Sequence, residues 1–180
     1  MSTLLPNTET STTTARTKRS VTGVKILGSG SYVPDLVLKN EDLAELGCDT
    51  EWIKQRTGIL ERRIAGEDQA TSDLACEAAV DCLKKSGLKP SDIDLIIVAT
   101  MTPDHYAPST SSIVQNRLGC VAPAFDLNAA CSGFIYGLIT ASQFVKAGCY
   151  KRILLIGAET MARVVNPKDI KTVPLFGDAA

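Results

Sequence analysis

Residues 125–134 read FDLNAACSGF, a short apolar run that reaches Cys131 and then opens into a long stretch of small and apolar residues. The run over 124–127 predicts a buried strand, and residues 132–147 predict a helix closed by Gly148. Cys131 then stands at the strand-to-helix turn, where the positive end of the helix dipole and the first unpaired backbone N–H groups lie beside its sulfur. Such a setting favours the nucleophilic thiolate. By position alone, a small buried hydrophobe accounts for Cys131 as well, since that is the usual state of a free cysteine.

Outward from this stretch, strands and helices alternate. Upstream, residues 93–100 (IDLIIVAT) form an apolar run of the kind buried on both faces of a parallel sheet. Ser109 or Thr110 is the expected cap of a helix that ends near Leu118 and is stopped by Gly119. Downstream, residues 152–157 (RILLIG) predict the next strand. This alternation implies an α/β fold with a largely parallel sheet covered on both sides. The helix after Cys131 is apolar nearly all round from Phe134 to Ala141, which predicts complete burial. Gly133, Gly137 and Ala141 recur every four residues, a face that another backbone can approach closely.

Nearer the start, residues 24–27 (VKIL) predict a first strand, followed by Gly28-Ser29-Gly30-Ser31-Tyr32-Val33-Pro34. A dinucleotide-binding turn needs a third glycine where Val33 stands and a helix where Pro34 stands, so that reading is rejected. Asn40 is the expected cap of a short helix over 41–46. A second short helix over 50–56 puts Trp52 and Arg56 four residues apart on one face. An indole beside a guanidinium is a platform for a flat ring carrying phosphates, although a half-buried Trp next to a surface Arg is the plainer reading of the pair by itself. Ser72 is the expected cap of the following helix. There Leu74, Ala75, Ala78, Ala79, Cys82 and Leu83 make one apolar stripe that ends at Gly87 and Pro90.

Composition narrows the classes. At 180 residues, 44% hydrophobic and 22% charged, the chain has the balance of a soluble globular domain. No apolar run approaches the roughly 20 residues that span a bilayer, so no membrane partner is expected. The net charge of −1 with mixed signs leaves no broad footprint for nucleic acid. Six cysteines without a C-x-x-C pair argue against structural zinc, and no metal is expected. Lacking an apolar leader core, the chain reads as a reduced, cytoplasmic protein. Residues 1–20 are rich in Ser and Thr and cannot bury enough surface to offset their ordering entropy, so they read as a disordered tail, with an organelle transit peptide as the alternative. Residues 21–180 form the structured unit.

Taken together, residues 26–34 (ILGSGSYVP), 51–59 (EWIKQRTGI), 99–109 (ATMTPDHYAPS), 124–134 (AFDLNAACSGF) and 176–180 (FGDAA) resemble the N-terminal half of a β-ketoacyl-acyl-carrier-protein synthase III. The resemblance implies a thiolase-like α/β fold, in which two βαβαβαββ halves build a five-layered αβαβα body that forms a homodimer. It implies that Cys131 is the nucleophile that takes an acyl group from acyl-CoA, the substrate, and that no cofactor is needed. Malonyl-acyl carrier protein then supplies the carbanion that attacks the thioester. Trp52 and Arg56 match family residues at the adenine and phosphates of CoA. Lys171 stands near the place of a further family arginine, so that contact is altered. A bulky family residue that shapes the partner's acyl pocket falls near Ala107, and here the bulk is on Tyr106.

The family's catalytic His and Asn belong to the second half, and the 180 residues end before them. The resemblance therefore implies a chain that is inactive alone and needs a missing C-terminal half, with a large apolar face left exposed. Two other readings stay open: a non-catalytic module that binds acyl-CoA or acyl carrier protein, and a hydrolase built on Cys131 and His105, which requires hydrogen-bond reach between them.

Overall fold

The three apolar runs around Cys131 do form one parallel sheet. The structure, a computed structural model, describes residues 23–180, so the tail expected over 1–20 lies outside the described residues. A short hairpin comes first, β1 (Leu36–Lys39) against β2 (Glu61–Ile64), with α1 (Thr50–Thr57) between them. Next come α2 (Thr71–Ser86), β3 (Leu95–Ala99), α3 (Thr110–Leu118), β4 (Ala124–Leu127), α4 (Gly133–Lys146) and β5 (Ile153–Gly157). Strand β3 is central, with Ile97 opposite both Phe125 of β4 and Leu155 of β5. A last antiparallel pair joins β6 (Glu159–Thr160) to β7 (Asp178–Ala179).

The core follows from the period of two along β3, whose alternate side chains leave opposite faces. Ile96 and Val98 meet Ala75, Ala79 and Leu83 of α2 and Val114 of α3. Leu95 and Ile97 face Ala141 and Phe144 of α4 on the other side. All five residues of β3 are buried, as a strand covered on both faces requires.

Four expectations are corrected. Residues 24–27 enter no sheet, and Ile26 and Leu27 are exposed. A ladder needs a neighbour within hydrogen-bond reach, and an apolar cavity of about 520 Å³ lies between this segment and β5. The backbone joins the rest farther on, where Ser31 N donates to Asp81 Oδ2 at 3.0 Å and Tyr32 exchanges two hydrogen bonds with Ala180 at 2.8 and 3.0 Å. Asn40 does stand before a helical turn, Glu41–Leu46, yet it makes no cap, because its side chain is committed to Ile59 O and Arg62. Ser72 lies inside α2, where its hydroxyl is buried without a hydrogen-bond partner among the described residues. Asp73 turns back to accept from Ala70 N instead.

Finally, α4 is not fully buried. Its Gly133, Gly137 and Ala141 face is, but what packs there is the sheet: a Cβ on Gly137 would sit 2.5 Å from Leu155 Cδ1. Phe134, Ile135, Tyr136, Leu138 and Ile139 remain exposed. Gly28 and Gly30 serve packing in a similar way. A Cβ on Gly30 would fall 2.3 Å from Cys82 N and 2.4 Å from Ala78 O, so only glycine lets this segment lie on α2.

Candidate active site

Strand β4 delivers the chain to the edge of the sheet, and a tight helical turn, Ala130–Ser132, follows before α4 begins at Gly133. Cys131 is the middle residue of that turn and is exposed. The turn closes through Ser132 N donating to Ala129 O at 3.1 Å, while Asn128 Oδ1 accepts from Ala130 N at 3.4 Å. Ala130 has φ +47, the one non-glycine residue with positive φ among the described residues. An alanine in that region is strained by roughly 1 kcal/mol or more. The strain lies in the residue just before the exposed Cys131.

The neighbouring loop, residues 101–109, is held on three sides. Asp126, in the middle of β4, accepts from Thr110 N at 2.9 Å and Ser111 N at 2.7 Å and so occupies the N-terminus of α3. Asp104 accepts from Ser72 N at 2.9 Å, and its own N–H donates to Thr110 Oγ at 3.1 Å. Glu159 accepts from Met101 N at 2.9 Å and from the Thr102 hydroxyl at 2.5 Å, and the Thr102 hydroxyl in turn accepts from Thr160 N. Thr102, Asp104, Asp126 and Glu159 carry no mark of this role in the sequence. Isolated Asp, Glu and Thr residues carry no periodic signal, and only the fold shows that they converge.

His105 and Tyr106, on that loop, are exposed, and Ala107 beside them is too. Among the described residues no hydrogen bond joins His105 to Cys131. Trp52 and Arg56 lie on the exposed side of α1, whose inner side is held by Ile53 and whose N-terminus is capped by Asp49 accepting from Trp52 N at 3.0 Å. Trp52 is 54% exposed, so its ring is open to a ligand. Lys171 is exposed in a turn in which its own N–H donates to Asp169 Oδ1. The large apolar cavity is lined by neither Cys131 nor Trp52 and is a separate feature.

Thiol chemistry separates the cysteines. Burial pushes the thiols of Cys76, Cys82 and Cys120 up, and for Cys76 the nearby Arg117 only partly offsets this. Cys131 and Cys149 are the exposed ones. No group of three or more His, Cys, Asp or Glu among the described residues is arranged to hold a metal ion.

Comparison with known proteins places the chain beside a family of condensing enzymes. The family described as 3-oxoacyl-[acyl-carrier-protein] synthase III matches residues 125–180, the segment that begins just before Cys131. The β-ketoacyl-[acyl-carrier-protein] synthase III of Rhodopirellula baltica is 58% identical over 158 residues, which cover 88% of this chain and 46% of the relative. The enzyme of the same name from Caldanaerobacter subterraneus is 56% identical over 86% of this chain and 47% of its own length.

The chain belongs to the 3-oxoacyl-[acyl-carrier-protein] synthase III family.

Its fold is the family's thiolase-like one. The 3-oxoacyl-[acyl-carrier-protein] synthase III of Aquifex aeolicus superposes with a TM-score of 0.85 at 46% identity, over 87% of this chain and 51% of that one. The chain thus spans about half the length of the synthase III relatives it matches.

Proposed function

We propose that this chain carries the acyl-accepting half of a synthase III condensing enzyme, with Cys131 as nucleophile. The Cys131 thiolate adds to the carbonyl of an acyl-CoA, acetyl-CoA being the expected primer. The C–S bond to CoA breaks, and CoA leaves as a thiolate that takes up a proton. The acyl group then rests on Cys131 as a thioester. Malonyl-acyl carrier protein loses CO2, and its carbanion attacks that thioester to give 3-oxoacyl-acyl carrier protein and the free Cys131 thiolate. The second step develops negative charge on thioester oxygens and needs hydrogen-bond donors there. The family resemblance assigns those donors to a complementary C-terminal half, and the complete enzyme in this reading is a cytoplasmic homodimer whose acyl pocket is bounded by the loop of Tyr106 and Ala107. Trp52 stacks on the adenine of CoA and Arg56 meets its phosphates, while Lys171 partly replaces the family arginine that packs on the adenine. Acyl-CoA is a substrate here, and no cofactor or metal enters.

The observation that carries this reading is the exposed Cys131 directly after the strained residue Ala130. Strain of that kind concentrates where geometry is needed for function. Incubation with radiolabelled acetyl-CoA is expected to place label on Cys131 and to place none on the Cys131→Ser variant. Absence of label even with a complementary C-terminal half present sinks the assignment.

A further inference from the structure

Arg62 takes no part in the chemistry at Cys131, yet its setting is costly. It is 6% exposed, and among the described residues no carboxylate forms an ion pair with it, Asp42 acting on it only from a distance. Its acceptors are neutral oxygens: Leu38 O at 3.1 Å, Asn40 Oδ1 at 2.7 Å and Pro174 O at 3.0 Å, while its Nε–H is buried without a partner. Removing a cation from water without a directly paired carboxylate is unfavourable, and burial pulls the Arg62 guanidinium below its ordinary value. What the planar guanidinium supplies in return is a rigid fork that reaches several acceptors at once.

Those acceptors lie on two stretches of chain, residues 38–40 and the segment of Pro174, which Arg62 ties to its own strand β2. Leu38 is in β1, and Asn40 begins the turn leading to α1 and also donates to Ile59 O just beyond that helix at 2.7 Å. Pro174 sits in the segment that carries Lys171, and next to it Val173 packs against Leu43, Cys48 and Ile53. Gly177 seals the contact, since a Cβ there would lie 2.9 Å from Arg62 Cβ. Ile53 is the buried residue between Trp52 and Arg56 on α1. The two halves of the nucleotide arm therefore meet over one small core whose polar side is Arg62.

We propose that Arg62 is a positioning residue for CoA binding: its buried guanidinium sets the segment bearing Lys171 against the helix bearing Trp52 and Arg56, without itself touching the ligand. The proposal rests on those three side chains being the CoA contacts. CoA is titrated calorimetrically into the intact chain and into Arg62→Lys, Arg62→Met and Trp52→Ala, alongside amide hydrogen exchange and the rate of Cys131 alkylation by iodoacetamide. Arg62→Lys keeps the charge but loses the fork, and CoA affinity is expected to fall roughly 5- to 10-fold, with a larger loss in Arg62→Met. Exchange rises at the amides of Thr172, Val173 and Leu175, whereas protection in α2 and β3 and the alkylation rate stay as in the parent. Loss of protection throughout the chain in Arg62→Lys marks a merely structural role and overturns the proposal. Affinity within twofold of the parent in Arg62→Lys, while Trp52→Ala weakens binding, also overturns it. If Arg62→Met does not fold, Asn40→Ala removes one acceptor of the fork and carries the same expectation. No effect of Trp52→Ala, or no binding by the parent at millimolar CoA, removes the nucleotide site itself.

Discussion

Ala130 and Cys131 form one unit. Glycine pays no Cβ penalty at φ +47, so Ala130→Gly is expected to raise stability by about 0.5–1 kcal/mol in urea unfolding. If Ala130→Gly instead lowers stability, the strained turn is misjudged. The cysteines give a second prediction at this scale. Limited iodoacetamide at neutral pH is expected to modify Cys131 and Cys149 first, read by peptide mass spectrometry. Cys76, Cys82 and Cys120 react later, because burial both hides them and pushes their thiols up.

Between elements, the contacts that aim the site are backbone approaches and helix ends. Gly30 lies on the backbone of α2, where a methyl group has no room and the neighbour is not a flexible side chain. Gly30→Ala is expected to cost about 2–3 kcal/mol, measured as a shift in the urea midpoint at unchanged slope. Asp126 joins β4, the strand that leads to Cys131, to the first turn of α3 through two backbone N–H groups. Asp126→Ala is expected to lose about 1–2 kcal/mol by leaving those donors unpaired. Hydrogen exchange at Thr110 and Ser111 would rise first, and unchanged protection there would contradict the link.

For the whole molecule, Asp94 ties the start of β3 to the entry of β5 by accepting from Arg152 N at 2.8 Å and Lys151 N at 2.9 Å. The backbone N–H of Arg152, then that of Lys151, holds its carboxyl below the usual carboxylate range. A depressed carboxylate stabilises the fold above its unfolded value of about 3.9, and that contribution is lost as pH falls through the lower folded value. Stability is therefore expected to drop on acidification below about pH 4, and Asp94→Asn to be less stable at neutral pH with a flatter acid limb. The exposed Phe134, Ile135, Tyr136, Leu138 and Ile139 make α4 an apolar surface of the molecule.

Much of this was legible from residue order alone. The apolar runs before and after Cys131 became β3, β4 and β5 within a residue or two, although only β3 is buried along its whole length and β4, expected to be buried, is half-buried at the edge of the sheet. The helix stops at Gly87 and Gly119 appear where left-handed φ is required. The place of Cys131 at the strand-to-helix junction was equally readable. Other features depend on partners distant in the chain. Residues 24–27 have strand composition but no neighbour within reach, α4 has core composition but only one covered face, and Asn40 has a capping side chain that Arg62 engages instead. A local pattern determines what a segment prefers. Only the tertiary arrangement decides which backbone meets it, which acceptors surround Arg62 and how sharply Ala130 turns, since those energies arise between residues far apart in the sequence.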